Sequence, residues 1–289
     1  MTLSSMGILM FKPMMRKSMI WGLFIATHLF SQIFASEVVF EGFKLPEKNN
    51  FHLFLLAGQS NMAGRGVILE SDKQMHPKIF ALSENGEWVP AVDPIHFDKA
   101  VAGLGLAKSF ALRLLDENPD ICIGLIPAAC GGSPISSWEP GVFFKGTQSH
   151  PYDDAIKRAN RATQDGVLKG ILWHQGESDS NQAKAGDYKE HLRELIERFR
   201  IKLGDPELPF IIGQLGQFEE RPWNEFKHRV DRAHRELAEE IPHVMFVSSD
   251  GLKSNPDLIH FNSDSLKILG DRYAKAYLNY LEDLKFRPE

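Results

Sequence analysis

The chain has 289 residues, of which 43% are hydrophobic and 25% are charged, and its formal net charge is -5. This composition is typical of a globular protein with enough apolar material for one large core. An acidic protein binds phosphate poorly, so the charge argues against a nucleic-acid partner. It also argues weakly against an anionic polymer as substrate, unless a local basic patch overrides it.

The N-terminus has the features of a secretory signal peptide. A basic pair, Arg16-Lys17, precedes an apolar run that ends at Phe30, and the small residue Ala35 follows. These are the three parts of such a peptide, and the apolar run is too short to span a bilayer comfortably. We therefore expect residues 1–35 to be removed and residues 36–289 to form one secreted or periplasmic domain without stable membrane insertion.

Short apolar runs alternate with longer amphipathic segments along the rest of the chain. The apolar runs are continuous, which is typical of strands in a parallel sheet covered on both faces. Repeated strand–helix order predicts a doubly wound, three-layer α/β/α sandwich. The predicted strands are 51–57, 78–82, 121–126, 170–173, 210–214 and 244–247, and the predicted helices are 103–117, 152–166, 183–203, 223–240 and 263–284.

A serine follows the first predicted strand, at the edge of the sheet where doubly wound folds bind ligands. Residues 57–62 read A-G-Q-S-N-M, with Ser60 just past the strand. If Ser60 opens a helix or turn, its N–H can point at a developing oxyanion. A serine here is also a common helix N-cap, and the chain has no G-x-S-x-G elbow. This segment alone therefore leaves the role of Ser60 open.

Two later strand ends carry further polar groups. The Gly131-Gly132 pair lets backbone N–H groups approach a substrate, although a plain turn explains such a pair equally well. Residues 173–179 read W-H-Q-G-E-S-D and bring an imidazole, an amide and two carboxylates to the same edge. The amide of Gln175 can donate to an oxyanion, whereas His174 is better explained as a structural residue.

An aspartate and a histidine three residues apart, Asp257 and His260, precede the last predicted helix. Residues at this spacing can share one side of a turn. The carboxylate can then fix the tautomer of the imidazole and leave its other nitrogen to accept a proton from a serine. The spacing is common by chance, so it does not by itself identify a catalytic pair.

Taken in order, these segments resemble the SGNH hydrolase superfamily. Within it, they resemble the sialate O-acetylesterase-like group that includes the acetylxylan esterases of carbohydrate esterase family 6. The matching segments are 56–64, 124–138, 173–179 and 257–261, and the resemblance extends from residue 51 to residue 280. It implies the SGNH fold, with a flavodoxin-like parallel sheet, and a serine esterase that removes acetyl groups from carbohydrate without a metal or organic cofactor.

The resemblance also implies roles for individual residues. Ser60 would be the nucleophile and His260 the general base. The oxyanion hole would consist of the N–H groups of Ser60 and Gly132 and the side chain of Gln175. The acetylated substrate, whether xylan, sialic acid or another glycan, stays open.

Two carboxylates compete to support the general base. We favour Asp257, because it matches the D-x-x-H motif of the superfamily. Glu177 is the alternative, because it matches a position credited with that role in some family 6 enzymes.

Two other functions compete with the carbohydrate esterase. A general SGNH lipase or thioesterase is less favoured, because the chain has no long apolar lid. A non-catalytic carbohydrate-binding protein would not require Ser60, Gln175, Asp257 and His260 together.

Several residues near the motifs are candidates for the wall of the pocket, although packing explains each equally well. They are Asn61, Met62, Arg65, Trp138, Phe143 and Phe144. Cys122 and Cys130 are expected to be free thiols, the first in the core and the second near the site, because two cysteines do not make a disulfide framework.

Overall fold

The computed structural model describes residues 44–286, and from Leu45 onward these residues belong to one compact unit. The predicted signal peptide at 1–35 and its boundary with the mature domain lie outside the described residues. None of the helices between residues 44 and 286 is both long and apolar enough to cross a lipid bilayer.

A seven-stranded sheet forms the centre of this unit, in the order β3-β2-β4-β1-β5-β6-β7. All neighbouring strands are parallel except the β2–β3 hairpin at one edge. Strands β4-β1-β5-β6-β7 follow the flavodoxin-like order 2-1-3-4-5, so the predicted fold class is confirmed. The strands are β1 (Phe51–Gly58), β2 (Ile79–Leu82), β3 (Trp88–Pro90), β4 (Cys122–Pro127), β5 (Val167–His174), β6 (Phe210–Gly213) and β7 (Val244–Val247).

Helices cover both faces of the sheet. Because alternate residues of a strand face opposite sides, β1 contributes to two apolar cores. Leu53 and Leu55 pack with α3, α4 and α5, whereas Phe54 and Leu56 pack with α2 and α6. All four side chains are fully buried, which stabilises the fold by roughly 1.5–3 kcal/mol each. The helices are α1 (Ser60–Ala63), α2 (Ala107–Glu117), α3 (Pro151–Ala162), α4 (Tyr188–Leu203), α5 (Glu225–Glu240) and α6 (Ser263–Lys285).

The helix predicted from residue 103 begins later, at Ala107, and the difference has a tertiary cause. The backbone N–H of Leu104 donates to the carbonyl of Gly66 at 2.8 Å, and the N–H of Gly66 donates to Leu104 at 3.0 Å. This isolated bridge commits the segment to extended pairing. Strand β3 was not predicted, because its three residues are partly exposed and form no buried apolar run.

Asp93 is a buried carboxylate just ahead of α2. It is 6% exposed, and its Oδ1 accepts a hydrogen bond from the N–H of Gly105 at 3.1 Å. Burial raises the pKa of Asp93 from 3.8 to about 6, even though the Gly105 hydrogen bond opposes the shift. Because the folded-state pKa is the higher one, the free energy of unfolding is greatest below the unfolded pKa. The free energy of unfolding should fall by about 3 kcal/mol as the pH rises from below 3.8 to above about 6.

The Asp93→Asn variant should remove this part of the pH dependence, because the amide oxygen still accepts from Gly105 and carries no charge. We expect wild type and variant to diverge between pH 4 and pH 7, with the variant more stable at the higher pH. Chemical denaturation at several pH values measures the difference. Parallel pH profiles for the two proteins would show that the Asp93 charge does not oppose folding.

Candidate active site

The carboxyl ends of β1, β4 and β5 meet at one edge of the sheet and open into a cleft of about 510 Å³. In the sheet, β1 lies between β4 and β5, and the chain crosses from β4 on one side of β1 to β5 on the other. Such switch points are where doubly wound folds bind ligands. Ser60, Gly132 and Glu177 follow these three strands, and His260 comes from the loop before α6. All four residues line the cleft.

A tight turn places Ser60 at the first position of α1. The turn passes so close to β5 that a Cβ on Gly58 would lie 2.2 Å from the carbonyl oxygen of His174, and the φ angle of Gly58 is +129°. Only glycine fits both constraints. The first N–H groups of a helix have no intrahelical acceptor, so the N–H of Ser60 is placed to receive an oxyanion.

Ser60, His260 and Asp257 form a continuous hydrogen-bonded chain. The Oγ atom of Ser60 lies 2.9 Å from Nε2 of His260, and Nδ1 of His260 lies 2.7 Å from Oδ2 of Asp257. A carboxylate at Nδ1 holds the proton on that nitrogen and leaves Nε2 to accept from the serine hydroxyl.

The Asp257 carboxylate is oriented by the turn that carries it. Its Oδ1 accepts the backbone N–H groups of Ile259 and His260 at 2.8 and 2.9 Å. Burial raises the pKa of Asp257, but the hydrogen bonds from the backbone and imidazole of His260 and from Ile259 outweigh it, so the pKa lies below its ordinary value. The carboxylate is therefore charged at neutral pH.

Glu177 lies in the cleft but is directed elsewhere. Its Oε1 accepts a hydrogen bond from Nδ2 of Asn61 at 2.6 Å and lies 4.0 Å from Nε2 of His174. Among residues 44–286, its hydrogen-bond partners do not include His260. The structure thus brings Asp257, the favoured candidate, to the imidazole and places the alternative carboxylate on Asn61.

The glycine pair after β4 offers one backbone donor to the cleft. The N–H of Gly131 is already committed to Oδ2 of Asp98, at 2.8 Å. Gly132 lines the cleft, has a φ angle of +84° and would carry a Cβ only 3.8 Å from Nζ of Lys99. Of the two glycine N–H groups, that of Gly132 therefore remains available to a ligand in the cleft, and that of Gly131 does not.

Gln175 follows β5, as the sequence pattern predicted, but its side chain is directed into the protein, and this corrects its expected role in the oxyanion hole. The side chain is fully buried and does not line the cleft. Its Nε2 donates to Oδ2 of Asp179 at 2.6 Å and to the carbonyl of Ser133 at 3.0 Å. A primary amide has two hydrogens, so both are already committed inside the protein.

Gln59, which the sequence pattern did not single out, lines the cleft directly before Ser60. Its Oε1 accepts from the backbone N–H groups of Ser178 at 3.3 Å and Gly176 at 3.5 Å. With the oxygen facing these donors, the amide nitrogen is left to donate elsewhere. The only signal in the sequence was its position beside Ser60.

The cleft is basic although the chain as a whole is acidic. Four cations, Arg65, Lys99, Arg221 and Lys227, line it, and Glu177 is the only carboxylate among the residues that do. Arg65 is paired with Asp98 at 2.9 Å. Burial lowers the pKa of Lys227, and the charge of Glu177 opposes that shift. Net charge could not reveal this patch, because its members are distant in sequence.

The remaining candidates for the pocket wall contribute little to the cleft. Trp138 is fully buried and packs edge-on against Trp173 with ring centroids 5.0 Å apart, so it belongs to the core and not to the pocket wall. Met62 is also buried. Phe143 is 51% exposed but lies outside the cleft lining, and Phe144 packs partly against the core.

Both cysteines are free thiols, as predicted. Cys130 does not line the cleft. It lines a second cavity, of about 210 Å³, and burial raises the pKa of its thiol. A buried thiol with a raised pKa is a poor nucleophile.

Comparison with known proteins agrees with this fold. A family model described as "carbohydrate esterase, sialic acid-specific acetylesterase" matches residues 50–279. A probable carbohydrate esterase of Arabidopsis thaliana is 32% identical over 248 residues, which cover 78% of this chain and 90% of that protein.

Solved structures show the same similarity. One from Arabidopsis thaliana is 30% identical, with a TM-score of 0.70 over 80% of this chain and 99% of that one. The structure named NanS is 18% identical, with a TM-score of 0.67 over 83% of this chain and 100% of that one, and it shares the fold.

The fold and these matches define a carboxylic ester hydrolase of the SGNH type. The chain belongs to the carbohydrate esterase family of sialic acid-specific acetylesterases. The resemblance inferred from the motifs is therefore confirmed.

Proposed function

We propose that this protein is a serine O-acetylesterase that deacetylates carbohydrate through an acetyl-Ser60 intermediate. The observation that carries the proposal is the hydrogen-bonded chain from Asp257 through His260 to the hydroxyl of Ser60, at the wall of an open cleft. A binding protein does not need a serine hydroxyl aligned on an imidazole, whereas acyl transfer does.

In the first half of the reaction, Nε2 of His260 takes the Ser60 proton as Oγ attacks the acetyl carbonyl. The resulting oxyanion faces the N–H groups of Ser60 and Gly132 and the amide of Gln59. The C–O bond to the sugar then breaks, and His260 returns the proton to the sugar oxygen. In the second half, His260 takes a proton from water, which attacks the acetyl-enzyme, and acetate and the Ser60 hydroxyl are released.

The charge of the cleft supports an acidic sugar, of the sialic acid type, as the carrier of the acetyl group. Lys99 lies beside Gly132, and Arg221 lines the same cleft with no carboxylate paired to it among the described residues. A sugar carboxylate can bind these cations while its acetyl ester reaches Ser60. The family description also names sialic acid.

The proposed substrate predicts that O-acetylated sialic acid is a better substrate than acetylated xylan. In the Lys99→Ala and Arg221→Ala variants, we expect KM for the acidic sugar to rise about tenfold for each lost charge-assisted contact. KM for 4-nitrophenyl acetate, which has no carboxylate, should change little. Acetate release from the three substrates measures both effects.

Lys202→Ala is the matched control, because Lys202 is an exposed cation at the end of α4, outside the cleft. If the two cleft variants raise KM no more than this control, the cations do not select the substrate. If acetylated xylan is preferred by the wild type, the acidic-sugar proposal is wrong while the esterase proposal stands.

We also propose that the protein acts after export, in the periplasm or outside the cell. The support is the signal-peptide pattern at residues 1–35. Mass spectrometry of the N-terminus of the exported protein tests it.

A further inference from the structure

Asn61 ties the loop that carries His260 to the turn that carries Ser60. It follows Ser60 in α1 and is 1% exposed. Its Oδ1 accepts the backbone N–H of Phe261 at 3.1 Å, and its Nδ2 donates to the backbone carbonyl of Ile259 at 3.3 Å. One side chain thus holds the main chain immediately before and immediately after His260.

The loop that carries His260 needs a contact of this kind to keep its position relative to Ser60. It is not part of a strand or helix, and Leu258 has a φ angle of +57°, in the left-handed region that non-glycine residues rarely adopt. The side chain of Asp257 is 45% exposed, so it anchors the ring only weakly against motion of the whole loop. The distance between His260 and Ser60 therefore depends on contacts that join the two segments directly.

Glu177 orients the Asn61 amide. Its Oε1 accepts from Nδ2 of Asn61 at 2.6 Å, and its side chain is only 12% exposed. A carboxylate accepts and cannot donate, so it selects the amide orientation in which the nitrogen faces Glu177. In that orientation, Oδ1 faces the N–H of Phe261, and the second amide hydrogen remains for Ile259.

We propose that Asn61 and Glu177 are a pair of positioning residues for the general base. Glu177 fixes the Asn61 amide, and Asn61 fixes the main chain around His260 so that Nε2 stays within hydrogen-bond distance of Ser60. Glu177 therefore supports His260 through Asn61 and not through its imidazole. This inference rests on the proposed serine mechanism.

The first test is the Asn61→Ala variant, with 4-nitrophenyl acetate as substrate. We expect kcat to fall about 10²-fold, because a small displacement of a catalytic group has an effect of that size, while KM stays near the wild-type value. The rate at which a 4-nitrophenyl phosphonate labels Ser60 should fall in parallel. Asn118→Ala is the matched control, because Asn118 is an exposed asparagine at the end of α2 and outside the cleft.

The second test uses Glu177, which lies at the cleft wall, in case Asn61→Ala folds poorly. Glu177→Ala should also lower kcat. The decrease in kcat should be much smaller for Glu177→Gln, because its amide oxygen can still accept a hydrogen bond from Asn61. The double variant Asn61→Ala/Glu177→Ala should be no slower than Asn61→Ala alone. A carboxylate that acted directly on His260 would instead lower kcat further in the double variant.

The outcomes separate this inference from the proposed function. If Ser60→Ala is inactive but folded Asn61→Ala keeps wild-type kcat, the positioning pair is wrong and the serine mechanism stands. Independent, multiplying effects of Asn61→Ala and Glu177→Ala would also overturn the pair. If Ser60→Ala remains active, the proposed function itself fails.

Discussion

Replacing Ser60 by alanine is expected to lower the kcat for 4-nitrophenyl acetate by roughly 10⁴–10⁶-fold. The loss should be this large because, among the described residues, the Ser60 hydroxyl is the hydrogen-bond partner of Nε2 of His260, at 2.9 Å. Without it, the cleft can still bind the ester and polarise its carbonyl, but no acetyl-enzyme forms. Steady-state hydrolysis and intact-protein mass spectrometry of the rapidly quenched enzyme measure the two consequences.

The matched control is Ser71→Ala, an exposed serine in the short helix Glu70–Lys73, which should behave as wild type. Mass spectrometry should find an acetyl group on Ser60 of the quenched wild type and none on the variant. Wild-type turnover in Ser60→Ala would show that the chain hydrolyses esters by another route. Activity that rises with acyl-chain length would favour the lipase alternative over an acetylesterase.

The position of Ser60 could be predicted because it depends on local order in the sequence. A buried apolar run specifies the strand, and the residue after that run must lie at the sheet edge. The same reasoning placed Gly132 and Glu177 at the cleft. The two cores were also predictable in outline, since continuous apolar runs can be buried only by helices on both faces.

The direction of a polar side chain could not be predicted in the same way. Gln175 and Gln59 both lie at strand ends, and only the packed structure shows which amide faces the cleft. The hydroxyl of Tyr188 donates to Oε1 of Gln175 at 2.9 Å, and Nε2 of Gln175 donates to Oδ2 of Asp179 at 2.6 Å. Two residues of later segments thus hold the Gln175 side chain inward. The sequence pattern identifies the group but not its partners.

The positive charge of the cleft could not be predicted from the sequence, for a related reason. Lys99 and Arg221 are more than a hundred residues apart in the chain and come from irregular segments, so no motif joins them. The overall charge of -5 argued weakly against an anionic polymer as substrate, whereas the local field at Ser60 is set by the cations that line the cleft. Local charge therefore outweighs net charge as a guide to the substrate.

The Asp257→Asn variant should have the second-largest effect, a loss in kcat of about 10²–10⁴-fold. Two backbone N–H groups, those of Ile259 and His260, already donate to Oδ1 of Asp257. An asparagine would therefore keep its oxygen on these donors and present its NH₂ group to Nδ1 of His260. The ring would then hold its proton on Nε2, where it faces Ser60 and can no longer accept the serine proton.

Glu177→Gln is the comparison variant for this prediction. It neutralises the other candidate carboxylate with an equally small change. The loss in kcat of Glu177→Gln should be far smaller than that of Asp257→Asn, since the new amide oxygen can still accept a hydrogen bond from Asn61. The ¹⁵N shifts of His260 should report a changed tautomer only in Asp257→Asn, with both variants melting near the wild-type temperature. A larger loss in Glu177→Gln, with an altered His260 tautomer, would transfer the supporting role to Glu177. The hydrogen bond of 2.7 Å between Asp257 and Nδ1 would then be a contact of the resting enzyme alone.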